Sequence, residues 1–162
     1  MTGRFNIWLP TTAEVTRGTA FRIPTINTTL TLPSTSKNAI TVGAYNSRLN
    51  SIADFSGRGY TRNNVYIKPD LAAPGIGIIS ARSGGGYGIY TGTSFAAPFV
   101  TGAAALLMEW GIVNKNDPFL YGQRAKAFLR KGAAREVNIT YPNQIWGYGF
   151  LCINNTLDLL SS

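Results

Sequence analysis

The stretch from Gly92 to Trp110 limits the fold of this chain more than any other. It is built of small and apolar residues, among them Ala96, Ala97, Gly102, Ala103, Ala104 and Ala105, with few polar interruptions. Small residues let a helix approach its neighbours closely, and apolar character nearly all round marks a helix buried against a sheet. The helix is expected to begin at Thr93 or Ser94 and to run to about Trp110. Pro98 then falls near its first turn, where a missing amide donor costs least.

A buried helix needs strands to lie on, and the flanking sequence supplies them. Ala39 to Tyr45 is short, apolar and β-branched, which suits a buried strand. Pro74-Gly75 is a turn signal, after which Ile76 to Ser80 reads as another strand. Ser83 to Gly86 makes a flexible turn into Tyr87-Gly88-Ile89-Tyr90. The glycine run lacks the lysine and hydroxyl that a phosphate-binding loop places directly after it. Residues 46–64 are polar loop with at most one short strand. A second helix is punctuated by Asp117 as N-cap, Pro118 at its first position and Gly132 past its end. Tyr121, Ala125, Phe128 and Leu129 form its apolar face, and Arg130 and Lys131 complement the dipole at its end.

The chain's 162 residues, 44% of them hydrophobic, suit one domain with a sizeable core. A net charge of +8 raises the question of a nucleic-acid partner. The densest basic cluster, Lys115, Arg124, Lys126, Arg130, Lys131 and Arg135, falls on and around the second helix and reads as a solvated face. No recognition motif accompanies it, so no nucleic-acid partner is expected. Cys152, the single cysteine, lies among Phe150, Leu151 and Ile153 and reads as a small buried hydrophobe. Met1 is not followed by an apolar leader, and the run from Phe99 to Val113 is expected to be too short and too polar for a membrane span. Histidine is absent altogether, which removes the side chain most hydrolases use as a base.

Ser94 is where chemistry is expected. At the start of an apolar helix its backbone N–H points at free space in a region of positive dipole, which suits the oxyanion of an acyl-transfer intermediate. Gly92 lets the chain pass close to a substrate. Taken in isolation, a serine in this place reads first as a plain N-cap, and only the wider sequence around it favours chemistry. Ala96 stands where the strand-to-helix elbow G-x-S-x-G would have its second glycine, so that elbow is excluded.

Gly92-Thr93-Ser94-Phe95-Ala96-Ala97-Pro98-Phe99-Val100-Thr101-Gly102 resembles the subtilase serine motif G-T-S-x-A-x-P-x-V-x-G at every fixed position. Ile40 to Ala44, Ala53-Asp54-Phe55-Ser56-Gly57-Arg58-Gly59 and Asp70-Leu71-Ala72-Ala73-Pro74-Gly75 are similar to further family segments, in family order. Trp146-Gly147-Tyr148-Gly149-Phe150 resembles the closing G-x-G strand. Trp8-Leu9-Pro10 resembles the spore-germination, Csp-type subtilases, in which an inserted jelly-roll domain ends just before this point.

The resemblance implies an α/β fold: the C-terminal portion of a subtilisin-like doubly wound, mostly parallel sheet with flanking helices. Residues 1–30 would be the end of an inserted or attached module and linker, and 31–162 the C-terminal portion of the peptidase domain. It implies a serine endopeptidase with Ser94 as nucleophile and its N–H as half of the oxyanion hole. Tyr90 and Phe55 match positions that line the leaving-group side of the scissile bond, with core packing as the open alternative for each. The partners implied are a peptide or protein substrate and an upstream segment carrying the triad Asp and His and the oxyanion Asn, none of which this chain contains. The alternative is a pseudoprotease or regulatory binding module on a degenerate subtilase fold. Neither cofactor nor metal is implied, and the Csp-type resemblance implies an extracellular or spore-associated protein. Asn154 and Asn155 lie too far beyond the serine to be the oxyanion donor. Lys68, the nearest upstream lysine, has no spacing that supports a Ser-Lys dyad.

Overall fold

The computed structural model describes residues 5–10 and 14–161. Its centre is a small sheet of β1 (Val42–Asn46), β2 (Ser51–Ile52) and β3 (Leu71–Pro74), in the order β2-β1-β3. β1 and β3 run parallel with Val42 opposite Leu71 and Ala44 opposite Ala73, while β2 pairs antiparallel with the end of β1. Phe150 extends the parallel set by bridging to Ala72. Beyond β3 the chain forms a separate antiparallel hairpin of β4 (Ile78–Ala81) and β5 (Tyr87–Tyr90). Three helices follow: α1 (Thr93–Met108), α2 (Gly122–Lys131) and α3 (Ile153–Ser161). This is the α/β architecture expected, with antiparallel pairs confined to the margins of a parallel centre.

Close approach is what the alanines provide. Ala44, Leu71 and Ala73 on one face of the sheet meet Ala96, Val100, Ala103 and Leu107 on α1, and Leu120 and Leu129 complete the core. Leu71, Leu107, Leu120 and Leu129 are fully buried, each contributing about 1.5–3 kcal/mol. Tyr45, on the other face, packs edge-on against Trp146 at 5.8 Å and tilted against Phe150 at 5.1 Å.

Several expectations change. The strand expected over 39–45 forms over Val42–Asn46, that over 76–80 forms over Ile78–Ala81, and Tyr87–Tyr90 forms as read. β3 and α3 were not anticipated. β3 is largely alanine, which carries little strand propensity, and α3 shows its pattern only through Ile153, Leu157 and Leu160 packing on the core. The closing segment at 146–150 contributes bridges at Phe150 and Gly147, without a full strand.

The second helix starts at Gly122, four residues later than expected. Asp117 Oδ1 accepts from the Phe119 amide at 3.1 Å and Asp117 Oδ2 pairs with Arg124, so Asp117 closes a turn. Gly122, with φ of +52°, interrupts any helix running on from Pro118. The end at Gly132 is as read, and Gly132 is held close because an added Cβ would lie 2.3 Å from Thr156 Oγ1. Tyr121 is exposed, so the apolar face reduces to Ala125, Leu129 and the half-buried Phe128.

α1 departs most from expectation. Only the stripe Ala96, Val100, Ala103 and Leu107 is buried. Ala97, Phe99, Thr101, Gly102, Leu106 and Met108 face outward, because no described residue of this chain covers that side. The α-helix ends at Met108 and widens into a single π turn over Glu109–Val113. Pro98 is the sixth helical residue, so it removes the amide that would bond the Ser94 carbonyl, a loss borne on the exposed side. By length and composition Thr93–Val113, 21 residues with a mean hydropathy of 1.5, does reach the size of a membrane span. In the fold its buried stripe lies on the sheet. Cys152 is half-buried at the entrance to α3, and its carbonyl accepts from Thr156 Oγ1 at 2.8 Å.

Candidate active site

The serine turn is assembled at the C-terminal end of β3. The Gly75 amide donates to the Tyr45 carbonyl at 2.9 Å, and the Gly75 carbonyl accepts from the Gly92 amide at 2.8 Å. One glycine thereby ties β1, β3 and the helix entrance together. No side chain fits there: a Cβ on Gly75 would stand 2.6 Å from Ala44 Cβ and 3.1 Å from the Gly92 carbonyl oxygen. Gly92 has φ of +155° and ψ of 159°, a region only glycine adopts readily, and it turns the chain sharply into α1. Thr91 Oγ1 accepts from the Gly77 amide at 3.1 Å and fastens the hairpin to the same turn.

Ser94 is the second residue of α1 and is exposed. An amide at that position has no acceptor within its own helix, so it is free to hold an anion. The Ser94 hydroxyl has no hydrogen-bond partner among the described residues. Gly92, not a side chain, occupies the cap position, so Ser94 is not the N-cap. Tyr90 stacks on Phe95 with ring centroids 5.0 Å apart and planes at 16°, which places an aromatic wall beside the serine. Phe55 stands on the loop after Ala53, about half exposed, and makes no ring contact with Tyr90 or Phe95 among the described residues. The structure therefore brings Tyr90 to the serine turn, while Phe55 is not part of that aromatic stack.

A second polar centre lies at the opposite end of β3, and the sequence did not reveal it. Asp70 is fully buried. Its Oδ2 accepts from Lys68 Nζ at 2.7 Å and from the Thr41 amide at 2.6 Å. Its Oδ1 pairs with Arg130 Nη2 and with Lys126 Nζ at 3.3 Å. Lys68 Nζ also donates to the Ala39 carbonyl at 2.7 Å, and Lys126 Nζ to the carbonyls of Lys37 at 2.8 Å and Ala39 at 2.7 Å. Arg130 lies over the Tyr148 ring at 4.5 Å.

The basic cluster read as a solvated helix face is thus partly interior: Lys126 is 3% exposed, and Arg130 turns inward to Asp70. Burial lowers the Lys126 pKa to about 8, with Asp70 opposing the shift and Lys68 and Arg130 adding to it. Lys68 is fully buried in these contacts, so it is not available to Ser94 as a base. Asn154 and Asn155 are exposed on α3. The signal that could have exposed this centre is the row Ala125, Lys126, Leu129, Arg130, which puts two cations beside two core residues on one helix face.

Residues 22–149 match the family profile described as Peptidase_S8, Subtilase family. The chain is 35% identical over 124 residues to the PII-type proteinase of Lactococcus lactis subsp. cremoris, a match covering 67% of this chain and 6% of that protein. It is 43% identical over 83 residues to subtilisin amylosacchariticus of Bacillus subtilis subsp. amylosacchariticus, covering 51% of this chain and 20% of that one. Among solved structures, the CspB protease of Clostridium perfringens superposes with a TM-score of 0.85 at 48% identity, over 89% of this chain and 31% of that chain. The chain therefore spans only a small part of the length of these relatives.

Proposed function

The chain belongs to the subtilase family, and from that premise we propose that it is the C-terminal, nucleophile-bearing portion of a subtilisin-like serine endopeptidase. The observation that carries this reading is Ser94, exposed at a glycine-shaped helix entrance with its hydroxyl unspent. In this reading Ser94 Oγ adds to the scissile carbonyl while its proton passes to a general base. The oxyanion rests on the Ser94 amide and on an asparagine donor. Collapse expels the amine, which takes the proton, and leaves an ester that water hydrolyses.

With zero histidines among 162 residues, the base comes from a partner segment, as do the Asp that orients it and the second oxyanion donor. The chain alone is inactive, because an unassisted serine hydroxyl stays protonated. In this reading Tyr90 and Phe55 line the leaving-group side of the scissile bond. Residues 1–30 end an attached module and linker, and 31–162 form the peptidase portion. The module expectation includes residues 1–4 and 11–13, which lie outside the described residues.

The test is to fuse an upstream subtilase segment carrying Asp, His and Asn to this chain and assay a peptide library. Hydrolysis should appear, and Ser94→Ala should lower it by at least about 10⁴-fold. Ser83→Ala, on the exposed hairpin turn, should leave it unchanged. Ser56 cannot serve as a control, since its Oγ accepts from the Ala44 amide at 3.0 Å and it is buried. Activity that survives Ser94→Ala would overturn the assignment. A folded fusion with all its catalytic groups and no activity would make the chain part of a pseudoprotease.

A further inference from the structure

Beside Trp146, which packs on Tyr45, the loops hold an open cavity of about 610 Å³ that shares no residue with α1 or the serine turn. Asn27, Arg58, Tyr60, Gln144, Ile145 and Trp146 are among its walls. Its frame is stitched from three distant segments. The Thr28 amide donates to the Gly59 carbonyl at 3.2 Å, the Thr29 amide to the Arg58 carbonyl at 2.9 Å, and the Gly59 amide to the Gln144 carbonyl at 2.8 Å. The Arg58 amide returns a bond to Thr29 Oγ1 at 2.9 Å. Asn143 Oδ1 accepts from the amides of Ile145 and Trp146 at 3.0 and 2.8 Å, which fixes the loop bearing the aromatic wall.

Within this frame the side chains of Asn143 and Tyr60 are spent on the backbone, and three other polar side chains are not. The guanidinium of Arg58 and the carboxamides of Asn27 and Gln144 have no hydrogen-bond or ion-pair partner among the described residues, and none of the described residues lining the cavity carries a carboxylate. A concave site of this volume, with apolar and aromatic walls and a few free polar groups, has the make-up of a ligand pocket. A rigid frame means that little ordering is lost when a ligand enters.

The chemistry of the free groups selects the ligand. A lone guanidinium with no competing acid takes a carboxylate through two parallel bonds. Carboxamides both donate and accept, as a peptide link requires. Ile26, Ile139 and Ile145 offer an apolar surface for one side chain, with the edge of the buried Trp146 behind them. We propose that this cavity binds the free C-terminal end of a peptide, with Arg58 on the terminal carboxylate, Asn27 and Gln144 on the last peptide link, and an apolar final side chain against Ile26, Ile139 and Ile145. The net charge of +8 draws such anions to the surface.

The experiment is a calorimetric titration of the 162-residue chain with N-acetyl-Ala-Ala-Leu as the free acid and as its C-terminal amide, at low salt. It reads binding, so it is independent of whether Ser94 is a nucleophile. The acid should bind saturably and the amide about tenfold or more weakly, the scale of one charge-assisted pair. Arg58→Gln should cost the acid about tenfold and leave the amide unchanged, with no change in thermal midpoint, since Arg58's side chain has no partner to lose. Arg82→Gln on the hairpin tip should change neither. Equal binding of acid and amide, no saturation by about 10 mM, or an equal loss in Arg82→Gln would each overturn the proposal.

Discussion

The two ends of β3 make opposite uses of polar groups. Before it, Lys68, Asp70, Lys126 and Arg130 bring four charges together, and the carboxylate and both ammonium groups are satisfied by one another and by the carbonyls of Lys37 and Ala39. After it, the turn at Gly75, Gly92 and Ser94 carries no charge, and its amide and hydroxyl are left open. Charge density alone would name the end of β3 opposite to the one the proposed function uses. What marks the proposed reactive place is polar capacity held in position at the surface and not yet used, whereas the cluster, spent except for the buried Arg130 Nε, is a fastening between β3, α2 and the 37–41 segment.

Substituting Asp70 should show this most forcefully. Asp70→Asn leaves three cations facing one neutral group in the interior, and breaking a buried pair of this kind costs about 3–5 kcal/mol. Chemical denaturation should record a loss of that size or no folded protein at all. A loss under about 1 kcal/mol would mean that the cluster is not a fastening. Gly75→Ala comes next, at about 1–3 kcal/mol, because its methyl group meets Ala44 Cβ at 2.6 Å. In the fused enzyme that variant should also lose turnover, since the strain falls on the link that holds Gly92.

A subtler effect follows from Lys126. Its folded pKa of about 8 lies below its ordinary 10.5. Between these values the unfolded chain holds more protons than the folded one, so stability rises with pH across that window. Below pH 8 both states are protonated, and the full cost of burying the charge applies. Denaturation midpoints at pH 7.5 and 9.5 should increase accordingly in the native chain, and Lys126→Met should flatten the increase. The smallest effect belongs to the other end of the strand: Ser94→Ala should change stability by less than about 0.5 kcal/mol, because its hydroxyl holds nothing. A destabilisation above about 1 kcal/mol would show that the serine is structural after all.

What was legible in the sequence was whatever the chain writes locally. The glycines and small residues around Ser94 are contiguous, so their turn and helix could be read from eleven residues in a row. Asp70 and its cations could not, since Lys126 and Arg130 follow it by 56 and 60 residues and only the fold brings them together. Asp117-Pro118 carried a true local signal that a stronger one overrode, the left-handed Gly122. α1 failed differently. Its composition speaks of neighbours on every side, while the described residues supply them on one.

That open side of α1 also governs how the molecule behaves as a colloid. Phe99, Leu106 and Met108 are each 41% or more exposed there, on a particle of net charge +8. In dilute buffer the mutual repulsion of like-charged particles reaches farther than the short-ranged attraction between apolar patches. Near physiological salt the repulsion falls off within about 8 Å. Sulfate goes further, because its exclusion from protein surfaces favours contact between them. Turbidity should therefore climb with ionic strength, and more steeply in sulfate than in chloride, and Leu106→Glu should restore clarity by placing a charge where the patches meet.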